Sequence, residues 1–337
     1  MSSILPPSET VRRLLIWHQG ALGDLLLAGP ALVAISRHYP QARFTALGHP
    51  ERWGLLSRSL PLDAVWDSHE ALWANLFSDA ALSPRLRDRL APFQLALVFS
   101  PGPQERLQER LAQAGIPAVA WILSFPAAGN GGAPVAVLQA QHLAGLGIKV
   151  QGEPFRLDVR PDRGWAAAGI QGSGPWLAVA PGSGQACKNW PLSHYYELTR
   201  LLAWEHRLQV VWLAGPAEAA LLPYLRALAA AQGHALLAQQ PLERLARVLA
   251  RCRLYLGNDS GLTHLAAAAG TGGVLAFFGP TDPAVWAPPG NQVRVLAGAC
   301  PRRPCARGRE IPCARPQCLQ DLAPAEAAAV AAEMLQG

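Results

Sequence analysis

The sequence has few charged residues and no long uninterrupted apolar run. Of its 337 residues, 15% are charged and 50% are hydrophobic. The longest apolar stretch, 262–279, contains Thr263, His264 and several glycines, whereas a membrane-spanning helix needs about 20 predominantly apolar residues. We therefore expect no membrane span. The abundance of apolar residues also argues against disorder and predicts a folded chain, which at this length favours two domains.

Two nucleotide-binding motifs are also missing. No segment has the pattern G-x-G-x-x-G of dinucleotide-binding folds, and none has the P-loop pattern G-x-x-x-x-G-K-[ST]. The first absence argues against a nicotinamide-dependent oxidoreductase, the rival enzyme class for such a chain. The basic residues behind the net charge of +6 are scattered, apart from a cluster between Arg302 and Arg315, and no aromatic stripe accompanies them. We therefore expect no nucleic acid partner, and the charge suits an anionic substrate or membrane surface.

The N-terminus and the cysteines favour a cytoplasmic chain. Two arginines precede the apolar run 14–17, as in a signal peptide. His18 and Asp24 interrupt the apolar region, however, so we interpret residues 1–10 as a short leader. Four of the six cysteines have the spacing C-x4-C-x7-C-x4-C, which is wider than the usual zinc pairs. A structural metal site, a redox-sensitive pair and ordinary reduced thiols stay open for these four: Cys300, Cys305, Cys313 and Cys318. No metal or other cofactor is expected in the mechanism.

Strand-like and helix-like segments alternate along the whole chain, which is typical of parallel sheets covered by helices on both faces. The first half is predicted to form strands at 11–17, 43–47, 64–66, 95–99 and 119–123 and helices at 25–38, 105–114 and 135–145. The second half is predicted to form strands at 176–180, 209–214, 254–256 and 274–278 and helices at 193–205, 218–231, 242–251, 261–269 and 324–335. Proline and glycine breaks indicate a boundary between 153 and 174. We predict an N-terminal domain over 1–160, a C-terminal domain over 174–322 and a terminal helix over 323–337.

A carboxylate follows the first predicted strand, in the stretch HQGALGDLLLAGP. Gly20 and Gly23 allow a turn into a helix, and Asp24 stands in the first turn of that helix. Taken alone, Asp24 is interpreted as a capping residue, which contributes about 1 kcal/mol. The backbone N–H groups at such a helix start also favour an anion, so a role in chemistry stays open.

The stretch APGSGQACKNWP follows a predicted strand in the second half. Its small residues, Gly182, Ser183 and Gly184, let backbone N–H groups approach an anion closely. Lys188 adds a positive charge at short range, which suits a phosphate. The alternative interpretation is a generic strand-to-helix loop with a solvated lysine.

Two further stretches have the same strand-to-helix character. In LGNDSGLTHLAAAAG, either Asp259 or Ser260 can cap a helix whose first N–H groups can hold a diphosphate, and His264 lies close enough to reach the same anion. A satisfied core histidine is the alternative for His264. In VVWLAGPAEAALL, Glu218 is favoured by the helix dipole and is also placed to accept hydrogen bonds from ribose hydroxyls.

Taken together and in this order, the four stretches resemble the heptosyltransferase-like glycosyltransferases, glycosyltransferase family nine. The resemblance covers about residues 11–322. In the first half its motif is Gly20-Ala-Leu-Gly-Asp24 with Pro30. In the second half its motifs are Pro181-Gly-Ser with Lys188 and Trp190, Gly215-Pro-x-x-Glu218, Gly257-Asn-Asp-Ser-Gly-Leu-Thr-His264 and Phe278-Gly-Pro-Thr-Asp-Pro283. It implies an α/β GT-B fold, in which two doubly wound Rossmann-like domains face each other across a cleft. It also implies an inverting, metal-independent transfer from a nucleotide-diphosphate sugar.

The resemblance implies a role for each candidate residue. Gly23 would contribute to substrate binding, and Asp24, which follows it, would be the general base that deprotonates the acceptor hydroxyl. Lys188 and the loop of Gly182, Ser183 and Gly184 would bind the diphosphate and stabilise the leaving group, and Glu218 would hold the nucleoside. Five residues would line the diphosphate and sugar site: Asp259, Ser260, Gly261, Leu262 and His264.

The expected donor is ADP-heptose, and the expected acceptor is a lipid-anchored glycan such as the lipopolysaccharide core. Such an acceptor would bring a basic chain into peripheral contact with the inner membrane. Many family members have a basic residue shortly before the Gly-x-x-Gly-Asp element, where this chain has Trp17-His18-Gln19. A family member with another nucleotide sugar and acceptor is therefore an alternative, as is a GT-B binding protein that has lost catalysis. The segments 49–61 and 67–84, expected to recognise the acceptor, show no interpretable pattern.

Overall fold

The structure, a computed structural model, describes residues 5–126, 132–159, 170, 174–306, 313 and 316–336. The chain divides into two compact units, residues 1–158 and 159–337. Each unit is built on one parallel β-sheet with helices packed against it. This confirms the predicted α/β class.

The first unit has a five-stranded sheet. Its strands are β1 (Arg13–Trp17), β2 (Arg43–Gly48), β3 (Leu62–Asp67), β4 (Leu95–Ser100) and β5 (Ala118–Leu123), in the order β3-β2-β1-β4-β5. Its helices are α1 (Leu22–Leu27), α2 (Gly29–His38), α3 (Pro50–Gly54), α4 (Pro84–Leu90), α5 (Glu105–Gln113) and α6 (Val135–Gly145), with 3-10 helices at Ser8–Thr10 and Ala71–Leu76. The chain leaves β1 toward one edge and returns to β4 on its other side, so β1 and β4 form the switch point where ligands bind in such sheets.

The helix predicted over 25–38 is two helices in the structure. α1 begins at Leu22, three residues earlier than predicted, and α2 begins at Gly29. The break follows from Pro30, which has no N–H to donate and whose ring would clash with the carbonyl one turn earlier. Pro30 is tolerated because it occupies the first turn of α2.

The second unit has a six-stranded sheet. Its strands are β6 (Trp176–Ala180), β7 (Gln209–Ala214), β8 (Ala235–Ala238), β9 (Leu254–Asn258), β10 (Val274–Phe278) and β11 (Val293–Ala297), in the order β11-β10-β9-β6-β7-β8. Its helices are α7 (Leu192–His206), α8 (Leu222–Gln232), α9 (Leu242–Leu249), α10 (Gly261–Ala269), α11 (Pro283–Trp286), α12 (Gln317–Gln320) and α13 (Pro324–Gln336), with 3-10 helices at Ala186–Lys188 and Pro216–Glu218. Strands β6 and β9 are neighbours and form the switch point of this sheet.

An aromatic cluster fixes the loop that leaves β6. Trp190 is fully buried and stacks on Phe277 of β10, with 4.2 Å between ring centroids. Its indole Nε1 donates to the carbonyl of Leu322 at 2.9 Å, close to the start of α13, which packs on α7. Buried aromatic pairs of this kind add about 0.5–1.5 kcal/mol beyond the area that they bury. The loop before Trp190, which contains Lys188, is therefore anchored at its far end.

Candidate functional site

A partly buried ion pair joins two loops of the second unit. Lys188, at the end of the Ala186–Lys188 helix, donates from Nζ to Oδ2 of Asp259 at 2.8 Å. The hydroxyl of Thr281 donates to the same oxygen at 2.6 Å. The side chains of Lys188 and Asp259 are 21% and 8% exposed. The pair lies at the carboxyl ends of β6 and β9, the position at which a doubly wound sheet binds its ligand, and the ammonium group of Lys188 has N–H donors beyond the one given to Asp259.

Asn258, the last residue of β9, holds the same loops together through both ends of its amide. Its Oδ1 accepts from the backbone N–H of Trp190 at 2.8 Å and from the hydroxyl of Tyr195 at 2.9 Å. Its Nδ2 donates to the carbonyl of Pro181 at 2.9 Å and more weakly to that of Gly182 at 3.3 Å. Asn258 is fully buried, so these bonds compensate for its removal from water. The loop after β6 is thereby fixed against the end of β9.

Glu218 packs directly over Gly182. Its carboxylate is buried and accepts from the backbone N–H of Gly215 at 2.6 Å. A methyl group on Gly182 would lie 2.0 Å from Oε1 of Glu218, so glycine is required for this close approach. The structure therefore brings together two of the predicted substrate-binding residues, from the loops that follow β6 and β7.

We expect the substitution Gly182→Ala to displace Glu218. Overpacking of this kind costs about 1–3 kcal/mol, and the lost carboxylate position should weaken nucleotide binding. Gly145→Ala, in α6 of the first unit, is the matched control, because nothing lies within 4 Å of the position of its added methyl group and Gly145 has no part in the proposed donor site. Denaturant unfolding and calorimetric titration with ADP measure both effects. Equal behaviour of the two variants would contradict the packing argument.

The N-terminus of α10 lies beside the ion pair. Ser260 is the N-cap residue, but its side chain makes no capping hydrogen bond. The first N–H groups of a helix have no partner within the helix, and here they belong to Gly261 and Leu262. Together with the helix dipole, these N–H groups favour an anion. The nine-residue helix α10 can therefore bind phosphate oxygens next to Lys188.

His264 and Ser183 complete the predicted set in this unit. His264 is buried, and burial lowers its pKa to about 4, with the charge of Lys188 acting in the same direction and that of Asp259 against it. The imidazole is therefore neutral near pH 7 and can donate from one ring nitrogen. The hydroxyl of Ser183 donates within its own loop, to the carbonyl of Gln185 or Oδ1 of Asn189, both at 2.7 Å.

Asp24 belongs to the first unit and lies in α1, the helix that follows β1. It is the third residue of α1, and its Oδ2 accepts from the backbone N–H of Ala21 at 2.8 Å. Asp24 is half-buried, and Gly23, the preceding residue in the same turn, is buried. The carboxylate therefore has the capping contact that the sequence predicted.

His18 and Arg52 flank the turn before Asp24. His18 is 3% exposed, and its ring contacts those of Trp53 and Phe99 edge-on. Burial, with a smaller contribution from the charge of Arg52, lowers the pKa of His18 to about 4. Arg52, on α3, donates from Nη1 to the carbonyl of Gly20 at 2.9 Å. The short helix α3, within a segment whose sequence shows no pattern, thus contributes a cation beside the predicted base.

Sequence reasoning missed three of the residues that organise these sites. Asn258 and Thr281 lie within two of the family motifs, at 257–264 and 278–283. Their contacts could not be predicted, because they join segments that are distant in sequence. Arg52 has no local signal. Within the second unit, the structure brings Lys188 to Asp259 and Glu218 to Gly182.

Cys300, Cys305 and Cys318, near the C-terminus, are free thiols in the structure. Among the described residues, no group of three or more histidine, cysteine, aspartate or glutamate side chains is arranged to hold a metal ion. Likewise, no helix in the described part of the chain combines the length and the apolar character that crossing a bilayer requires.

Curated relatives match only part of this chain. Lipopolysaccharide heptosyltransferase 1 of Escherichia coli is 38% identical over 100 residues, which are 28% of this chain and 29% of the relative. Lipopolysaccharide heptosyltransferase 2 of Salmonella typhimurium is 32% identical over 127 residues, 36% of each protein. The chain thus aligns with about a third of the length of these relatives.

Solved structures match nearly the whole chain. The family 9 glycosyltransferase from Veillonella parvula has a TM-score of 0.76 at 14% identity over 99% of both chains. Escherichia coli ADP-heptose lipopolysaccharide heptosyltransferase II has a TM-score of 0.72 at 19% identity over 96% of this chain and 98% of that chain. An iron-containing dodecameric glycosyltransferase from enterotoxigenic Escherichia coli has a TM-score of 0.60 at 14% identity over 97% of this chain and 76% of that chain. These similarities confirm the predicted GT-B fold of Rossmann-like domains.

The family assignment rests on a match to a family model. The model of glycosyltransferase family 9, described as heptosyltransferase, matches residues 137–314, just over half of the chain. The matched range contains the ion pair of Lys188 and Asp259 and the start of α10. The chain therefore belongs to glycosyltransferase family 9, the heptosyltransferase family.

Proposed function

We propose that this chain is an inverting glycosyltransferase that transfers heptose from ADP-heptose to a lipopolysaccharide core or a related surface glycan. The observation that carries the proposal is the partly buried pair of Lys188 and Asp259 beside the start of α10. This arrangement offers an ammonium group and helix N–H groups to one anion, at the switch point between β6 and β9. A nucleotide-diphosphate donor is the ligand class that fits it.

The second unit binds the donor. Lys188 and the N–H groups of Gly261 and Leu262 hold the diphosphate, together with the loop of Ser183 and its flanking glycines, Gly182 and Gly184. Glu218 accepts hydrogen bonds from the ribose hydroxyls. The sugar and diphosphate also contact Asp259, Ser260 and the neutral His264. A carboxylate so close to the diphosphate is acceptable because Asp259 is paired with Lys188 at 2.8 Å.

Asp24 is the general base in this proposal. Its carboxylate takes the proton of the acceptor hydroxyl as that oxygen bonds to the anomeric carbon of the donor sugar. The bond from that carbon to the diphosphate breaks at the same time, and ADP leaves with the electron pair. A single displacement of this kind inverts the anomeric configuration. Lys188 and the helix N–H groups stabilise the charge on the leaving diphosphate, so the proposed transfer needs no metal ion.

The acceptor and the location follow from charge. The chain carries a net charge of +6, which suits an anionic, lipid-anchored glycan at the cytoplasmic face of the inner membrane. We accordingly place the protein in the cytoplasm with peripheral contact to that membrane.

Thermal unfolding with a panel of nucleotides tests the donor. A ligand at 100 times its dissociation constant adds about 2.7 kcal/mol of stability. ADP and ADP-heptose should therefore clearly raise the midpoint temperature of thermal unfolding. UDP-sugars and NADH should not raise it. Stabilisation by a UDP-sugar would instead identify a family member with another donor, and stabilisation by NADH would favour an oxidoreductase.

Turnover tests the reaction itself. With ADP-heptose and heptose-deficient lipopolysaccharide, we expect release of ADP and transfer of one heptose in the inverted configuration. Binding of ADP without any transfer to this acceptor or a related surface glycan would favour a binding protein that has lost catalysis.

A further inference from the structure

We propose that Arg52 binds an anionic group of the acceptor glycan beside the base Asp24. The inference rests on the proposed function and deepens it, because it names a residue that selects the acceptor. The inference rests on one contact: the guanidinium of Arg52 donates to the carbonyl of Gly20, in the turn that leads to Asp24.

The turn is compact, so Arg52 lies near the reacting group. A methyl group on Gly20 would lie 2.7 Å from Cβ of Asp24 and equally close to Cε1 of His18. The side chains of Asp24 and His18 therefore both pack against Gly20, whose carbonyl oxygen accepts from Nη1 of Arg52 at 2.9 Å. An acceptor whose hydroxyl reaches Asp24 thus passes close to the guanidinium.

The packing of α3 fixes the position of Arg52. The next residue, Trp53, is fully buried, and its Nε1 donates to the carbonyl of His18 at 3.4 Å. The Trp53 indole also contacts the position where Gly48, the last residue of β2, would carry a side chain. Arg52 itself is half-buried. Its backbone is therefore held by the end of the sheet, while the far end of its side chain reaches the turn before Asp24.

The charge at this place comes from Arg52 and not from His18. The imidazole of His18 is buried among Trp53 and Phe99, and its pKa of about 4 leaves it neutral at pH 7. A guanidinium has five N–H donors in a planar fork. One bond to Gly20 leaves donors that can bind a carboxylate or phosphate oxygen pair, a geometry for which arginine is better suited than lysine.

Steady-state kinetics with ADP-heptose and heptose-deficient lipopolysaccharide test the inference. We expect Arg52→Gln to raise the acceptor KM about 10- to 100-fold, the usual effect of losing a charge-assisted hydrogen bond, with donor KM and kcat within about threefold. Arg52→Lys keeps the charge but not the planar fork of donors, so its acceptor KM should lie between those of the wild type and Arg52→Gln. Arg247→Gln is the matched control, because Arg247 is a surface arginine on α9 of the second unit that pairs with Glu243, and its kinetics should match the wild type.

Modified acceptors identify the anionic group. If Arg52 binds a phosphate, phosphatase treatment of the acceptor abolishes the difference between wild type and Arg52→Gln; if it binds a carboxylate, esterification does so. A fall in kcat with unchanged acceptor KM would overturn the inference, because Arg52 would then only position the turn. Unchanged kinetics in Arg52→Gln, or a difference that survives both treatments, would also overturn it.

A binding measurement separates this inference from the proposed function. Calorimetric titration of the core oligosaccharide into wild type and Arg52→Gln needs no turnover. Weaker binding to the variant supports the inference even if the wild type transfers no heptose, and equal or absent binding to both contradicts it.

Discussion

Replacing Asp24 with asparagine is expected to lower kcat about 10²- to 10⁴-fold, the usual contribution of a general base, and to leave ADP affinity unchanged. The amide oxygen of asparagine can still accept from the N–H of Ala21, the contact that Asp24 makes at 2.8 Å. It cannot take a proton from the acceptor hydroxyl. Stopped-time assays of ADP release and calorimetry with ADP measure the two quantities separately.

Two further variants separate the base from the helix cap. Asp24→Ala loses both, so its turnover should match that of Asp24→Asn, while its stability falls by an additional 1 kcal/mol or so. Ser83→Ala removes a comparable cap, the contact of Ser83 with the N–H of Leu86 at 3.3 Å, and at saturating acceptor it should lose stability without a fall in kcat. Near-normal turnover of Asp24→Asn would show that the carboxylate is only a cap.

The strands in the middle of each sheet could be predicted because their sequences are apolar throughout. β4, for example, is buried at every position, as expected for a strand covered on both faces. The edge strands β8 and β11 could not be predicted, because they are short and largely half-exposed. Their pairing depends on the neighbouring strand rather than on a pattern of their own.

The candidate site could be predicted as a set of loops but not as a set of contacts. The glycines after β6 and β9 marked the loops that carry Ser183 and Ser260. The bond between Lys188 and Asp259 joins residues 71 positions apart, and it exists because the fold places β9 beside β6. Asn258 shows the same limit, because the partners of its side-chain amide lie between 63 and 77 residues away.

Replacing Lys188 with methionine is expected to weaken ADP binding about 10- to 100-fold, from the loss of about 1.5–3 kcal/mol of charge-assisted hydrogen bonding. The same substitution should lower the free energy of unfolding. Asp259 is 8% exposed, and removing one partner of a buried ion pair costs about 3–5 kcal/mol because the other charge stays buried. Calorimetry with ADP and denaturant unfolding measure the two losses.

The double variant Lys188→Met, Asp259→Asn separates these two effects. Removing the second charge relieves the burial penalty, and the amide can still accept from the hydroxyl of Thr281, which lies 2.6 Å from Oδ2 of Asp259. Stability should therefore recover in large part, whereas ADP affinity should stay low because the ammonium group is absent. Recovery of both quantities would show that Lys188 serves only to neutralise Asp259. Full ADP affinity in the single variant would contradict the diphosphate role, because the strongest charge at the start of α10 would then make no contact with the donor.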